Sequence, residues 1–142
     1  MDIRPLTPHY AVSPQISPED LPLIAEAGFS AVICNRPDAE NPPEWHAAAM
    51  AEAAQAVGLQ FHNLPLTHQT MTPENVARQR DLIDAATGPV LAYCASGTRS
   101  SVIWSLGQAG HLSTDEILAA TAQAGYQLDQ LRPALDAMAA NR

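Results

Sequence analysis

Apolar and polar positions along this chain switch between two periods. Short apolar runs at residues 29–34, 59–66 and 89–93 read as strands, and residues 9–12 read as an edge strand. Between them lie longer stretches with helical start and stop signals. Ser17-Pro18-Glu19-Asp20 offers an N-cap, a proline at the first helical position and acids in the first turn, and Gly28 follows Ala27 as a stop. Pro43 and Glu44 open an alanine-rich stretch that ends near Gly58, and Thr72-Pro73-Glu74 starts another helix through about Ala86. A helix follows from Ser100. Ser113-Thr114-Asp115-Glu116 is a capping box, and Leu128, Leu131, Leu135 and Met138 recur at helical spacing.

Strands alternating with helices predict an α/β fold: a mainly parallel central sheet flanked by helices, in one domain over residues 1–142. Right-handed crossovers put the loops after the strands at one edge, and ligands of such sheets bind there. This topology brings Arg36, His68 and the segment after Tyr93 together.

That segment, Cys94-Ala95-Ser96-Gly97-Thr98-Arg99, joins a strand end to a helix start. Backbone N–H groups converge at such a place, and with the helix dipole they favour an anion and a thiolate. Arg99 adds a fixed positive charge and a planar fork of donors. Cys94 and Arg99 are therefore the candidate catalytic pair, with Ala95, Ser96, Gly97, Thr98 and Ser100 as the anion-binding loop. Gly97 supplies a position free for positive φ, and Ser100 is either a hydroxyl donor to the sulfur or the helix N-cap. Arg36 is read as an ion-pair partner of Asp38 or as a direct substrate contact, and His68 as an acid or base. Cys34 and the tryptophans Trp45 and Trp104 read as core.

Composition narrows the partners. With 15 acidic and 7 basic residues the chain carries a formal charge of -8, which argues against nucleic acid. A small anionic substrate remains compatible, because a local field can oppose net charge. No apolar run reaches membrane-spanning length and no leader pattern is visible, so a cytoplasmic protein is expected. The two cysteines are expected to be free thiols. The five histidines lack ligand spacing, so neither a metal nor another cofactor is expected.

The chain resembles the phosphatase-like domain of beta-lactamase-hydrolase-like proteins. The resemblance rests on 15–20 (Gln-Ile-Ser-Pro-Glu-Asp), Gly28-Phe29, Asn35-Arg36-Pro37-Asp38 with Glu40, Gly58-Leu59, the segment 88–94, Ser96-Gly97-Thr98-Arg99-Ser100, and Ala124-Gly125-Tyr126. It implies a fold like that of dual-specificity and tyrosine phosphatases, with a cysteine-centred anion site. Ala95 stands where that family usually has a basic residue.

Loop detail points elsewhere. Tyrosine phosphatases place a histidine before the cysteine and five residues between cysteine and arginine. Here Tyr93 precedes Cys94 and four residues separate it from Arg99, as in the CxxGxR loop of rhodanese-type sulfurtransferases. The segment 64–68 also lacks the aspartate that serves those phosphatases as general acid. From these features a sulfurtransferase forming a persulfide on Cys94 is the preferred expectation, with a thiol or persulfide carrier as partner. A phosphatase of phosphate monoesters is the alternative, and a non-catalytic anion-binding module the third reading.

Overall fold

The computed structural model describes residues 1–142. Its centre is a five-stranded sheet of β1 (Arg4–Thr7), β2 (Tyr10–Ser13), β3 (Ala31–Cys34), β4 (Gln60–Asn63) and β5 (Val90–Tyr93), in the order β1-β2-β5-β3-β4. All pairings are parallel except β1 with β2. The mainly parallel sheet expected from the sequence is therefore present.

One strand expectation is corrected. Residues 9–12 are not an edge: β2 lies between β5 and β1, a strand the sequence hid. β1 reads Arg-Pro-Leu-Thr, with a shift in register between Pro5 and Thr7. A proline that cannot donate to a ladder is tolerated on an edge strand, and β1 is one.

Six helices cover the sheet: α1 (Leu21–Glu26), α2 (Ala47–Ala56), α3 (Pro73–Ala85), α4 (Thr98–Gln108), α5 (Thr114–Gln123) and α6 (Arg132–Ala140). Strand alternation splits the core. Val12, Ile33, Val90 and Ala92 face the side of α3 to α6. Ala11, Val32, Cys34, Leu91 and Tyr93 face α1 and α2. β2, β3 and β5 are buried along their whole length, as parallel strands covered on both faces must be. No helix is long and apolar enough to cross a membrane.

Several boundaries move. The helix expected from Pro43 begins at Ala47, because His46 is extended and the Pro43–Trp45 turn stands alone. The apolar segment 59–66 pairs as a strand only over Gln60–Asn63. Beyond it, the Leu64 and Leu66 amides bond to the Cys34 and Asn35 carbonyls, turning the chain inward. Leu128 precedes α6 rather than lying in it. Trp104 is core, stacked on Tyr10 with ring centroids 6.1 Å apart, whereas Trp45 is only half-buried and lies outside both clusters.

Candidate active site

The loops after β2, β3, β4 and β5 meet at the carboxyl edge of the sheet. Central β5 delivers Cys94, whose amide donates to the Ser13 carbonyl at 3.4 Å. The Gln15 amide donates to the Ala95 carbonyl at 3.2 Å, and the Asn35 amide to the Tyr93 carbonyl at 2.8 Å. The segment around Cys94 is thus stitched to its neighbours on both sides.

Cys94 is fully buried at the floor of this loop. Its sulfur accepts a hydrogen bond from the Gly97 amide at 3.1 Å. Gly97 is the N-cap of α4 with φ 94°, the left-handed conformation in which a side chain is strained. A Cβ there would also overlap the Tyr126 hydroxyl, which donates to the Ser96 carbonyl at 2.8 Å. The Thr98 amide is held by the Ser96 hydroxyl at 3.3 Å. The amides of Ala95, Ser96, Arg99 and Ser100 make no hydrogen bond within the protein. They are the open donors a helix start leaves for an anion.

Arg99 crosses from this loop to the neighbouring ones. Its Nη1 and Nη2 donate to the two carboxylate oxygens of Glu40, each at 2.8 Å, and Nη1 also donates to the Leu66 carbonyl at 2.9 Å. Three of its five N–H donors are therefore committed. The Nε hydrogen and one Nη2 hydrogen remain for an oxyanion. Glu40 also accepts from Arg36 Nε at 3.2 Å. Two guanidiniums share one carboxylate, so the cluster stays net positive in an acidic protein. The Arg99 fork first, then Arg36, holds the Glu40 carboxyl below its ordinary range, and Glu40 raises Arg99 in turn.

The expected Arg36–Asp38 pair is not formed. Arg36 binds Glu40 and the Gln15 side chain (Nη1 to Oε1, 3.2 Å), and its Nη2 reaches the Glu40 carbonyl at 3.2 Å. Asp38 instead accepts from the Ala47 amide at 2.8 Å, capping α2 where a carboxylate suits the dipole.

Ser100 is neither the N-cap nor a partner of the sulfur. α4 begins two residues earlier, and the buried Ser100 hydroxyl donates to Asn35 Oδ1 at 2.8 Å. Asn35 and Gln79 exchange amide hydrogen bonds at 3.0 and 3.3 Å, and Asn35 also donates to the Leu64 carbonyl. Gln79 reaches the Tyr10 hydroxyl, which donates to the Ser100 carbonyl. This buried network fixes the start of α4 against the ends of β3 and β4. Cys34 is buried on the other face, its thiol donating to the Arg36 carbonyl at 3.3 Å, and burial pushes that thiol up.

His68 is exposed on the loop after β4. With Thr98 it lines a cleft of about 540 Å³. No group of three His, Cys, Asp or Glu side chains is placed to hold a metal ion.

The topology argument brings Cys94, Arg99 and Arg36 into one site and sets His68 at the adjoining cleft. Four contributors had no role assigned from the sequence: Gln15, Asn35, Glu40 and Tyr126. The i,i+4 spacing of Arg36 and Glu40 was a visible signal. Gln15 and Asn35 follow strand ends at the functional edge. Tyr126 lies far along the chain, and its one signal was the matching stretch Ala124-Gly125-Tyr126.

A central parallel strand, a cysteine loop opening a helix and an arginine forked across it define a domain built like the protein tyrosine phosphatases. The chain belongs to the family described as "Beta-lactamase hydrolase-like protein, phosphatase-like domain", whose model matches residues 2–111. It is 32% identical over 90 residues to the beta-lactamase hydrolase-like protein of Agrobacterium fabrum, covering 63% of this chain and 21% of that protein. It is 28% identical over 130 residues to that of Xylella fastidiosa strain Temecula1, covering 90% of this chain and 30% of that protein. The chain thus spans less than a third of these relatives' length. A crystal structure from Neisseria meningitidis Z2491, provisionally assigned as a phosphatase, matches with TM-score 0.85 and 36% identity, covering 97% of this chain and 99% of that one. Tk-PTP in its active form shares the fold, with TM-score 0.78, 18% identity and coverage of 99% and 97%. So does TpbA of P. aeruginosa in complex with pTyr, with TM-score 0.70, 13% identity and coverage of 99% and 89%.

Proposed function

We propose that this domain hydrolyses phosphate monoesters through a phosphocysteine on Cys94. The observation that carries the reading is the Cys94 loop itself: a sulfur at its floor, unpaired amides around it and two Arg99 hydrogens left free. The phosphatase-like family and the similar solved structures support the same chemistry.

The Cys94 thiolate attacks phosphorus. An S–P bond forms, the ester P–O bond breaks, and the leaving oxygen takes a proton. His68 is the one titratable side chain lining the adjoining cleft, and we assign it that proton. Water then attacks phosphorus and returns a proton to His68. The S–P bond breaks, releasing inorganic phosphate and the thiolate. Charge develops on the phosphoryl oxygens beside amides and a guanidinium already in place.

Sulfur transfer, which loop length and the missing aspartate favoured, has no support in the family or in the similar structures. The short loop does not exclude a phosphoryl group, because four unpaired amides and two Arg99 hydrogens are donors enough for three oxygens. The test is turnover of a small aryl phosphate by the wild type and by Cys94→Ser. The reading expects hydrolysis by the first and none by the second. Anion binding without turnover would leave the binding-module reading.

A further inference from the structure

The cleft beside the active-site loop has a composition that phosphate capture does not use. It holds about 540 Å³ and runs between α3, α4 and the segment entering α6. Eight of its twelve lining residues are hydrophobic, among them Met71, Val102, Leu128, Leu131 and Met138. No Asp, Glu, Lys or Arg lines it. Its only polar side chains are those of His68, Thr98 and Gln130.

Two of these tie the cleft to the chemistry. Thr98 is the first residue of α4 and belongs to the anion loop, its hydroxyl 2.9 Å from that of Ser96. His68 sits on the loop whose Leu66 carbonyl accepts from Arg99. The cleft therefore adjoins the anion loop at Thr98.

We propose that this cleft is the leaving-group site, and that the substrate is a small amphiphilic phosphate monoester: a phosphoryl head on an uncharged, extended apolar body. This rests on the phosphatase reading above. The volume falls within the usual range of small-molecule sites, about 300–1,000 Å³. The absence of charged lining residues leaves nothing to pair with the charges of a nucleotide or an acidic phosphopeptide, and the protein's charge of -8 repels both. Two methionines give the wall adaptable thioethers, suited to a flexible chain rather than one rigid ring.

The test is a series of n-alkyl phosphates of increasing length, with phenyl phosphate as the short reference. Burial of a methylene is worth about 0.8 kcal/mol, or about fourfold in affinity. A body bound equally in ground and transition states lowers KM and leaves kcat alone. The inference expects KM to fall by up to about fourfold per methylene until the cleft is full, with kcat nearly constant. Ala134→Trp, at an exposed cleft position on α6, should erase the length dependence, and Met138→Glu should do the same. Turnover of phenyl phosphate with KM flat along the series overturns the leaving-group site and spares the phosphatase reading. Turnover of none of the esters sinks that reading. Calorimetry with Cys94→Ser then decides the cleft: equal affinity for short and long alkyl phosphates overturns it too, as expected if a polypeptide occupies the groove.

Discussion

Arg99 and Glu40 form a two-pronged ion pair across 59 positions of sequence, with both N···O distances at 2.8 Å. The pair fixes the guanidinium plane and leaves its remaining edge to the loop. Arg99→Lys keeps the charge but loses the fork and the brace on the Leu66 carbonyl. A charge-assisted hydrogen bond is worth about 1.5–3 kcal/mol, so kcat/KM should fall about ten- to a hundredfold. Steady-state kinetics on a small aryl phosphate check this, and an unchanged value means Arg99 does not touch the substrate.

Glu40→Gln should cost less, about two- to fivefold in kcat/KM, because Glu40 is partly exposed. The pair also sets a pH dependence. The Glu40 carboxyl is depressed in the folded protein, so its stabilisation is complete above its unfolded pKa of about 4.3. It is lost as pH falls through the lower folded value. The difference in Tm between wild type and Glu40→Gln should therefore be constant from about pH 7 to 5 and shrink below about pH 4. A difference that grows on acidification contradicts the assignment.

Tyr126→Phe removes only the hydroxyl that donates to the Ser96 carbonyl. Stability should fall by about 0.5–1.5 kcal/mol, read from denaturant midpoints. KM for a small aryl phosphate should rise as well, since the Ser96 peptide lies in the anion loop. A variant with lowered stability and unchanged KM would mean that Tyr126 merely packs.

Tyr93 carries the one buried side-chain polar atom without a hydrogen-bond partner. It lies beside the Cys34 thiol, and burial pushes the phenol far up. Tyr93→Phe deletes an unsatisfied group with little change of shape, so it should be neutral or stabilising by up to about 1–3 kcal/mol. A clear loss in thermal unfolding would reveal a partner for that hydroxyl.

His68→Asn should separate esters by leaving group. General acid catalysis contributes about a hundred- to ten-thousandfold where the leaving oxygen is basic. Alkyl phosphates should slow by about that much, and p-nitrophenyl phosphate by little, because nitrophenolate leaves without a proton. Equal slowing of both would move the acid elsewhere.

The sequence made the site's topology legible because its strands are apolar runs that end at marked loops. Thr72 and Ser113 capped helices as read, accepting from the Asn75 and Glu116 amides. β1 was invisible because an edge strand with proline and arginine has no apolar period to show. Arg36 was matched to the wrong carboxylate because both Asp38 and Glu40 lie within its reach along the chain. Only the extended Pro37 and the α2 N-terminus, which claims Asp38, decide between them. Loop length is the weaker guide. Four residues between Cys94 and Arg99 pointed to a sulfurtransferase-type loop, but the count of free donors depends on where those amides point, which spacing does not encode.

The central claim is a covalent phosphoryl group on Cys94, and rapid-quench mass spectrometry of the Cys94 peptide tests it most directly. The protein is mixed with an aryl phosphate, and separately with thiosulfate, then quenched in acid. The account predicts a peptide heavier by one phosphoryl group in the first sample, none with Cys94→Ser, and no added sulfur in the second. A peptide that gains one sulfur atom from thiosulfate and never a phosphoryl group would contradict it.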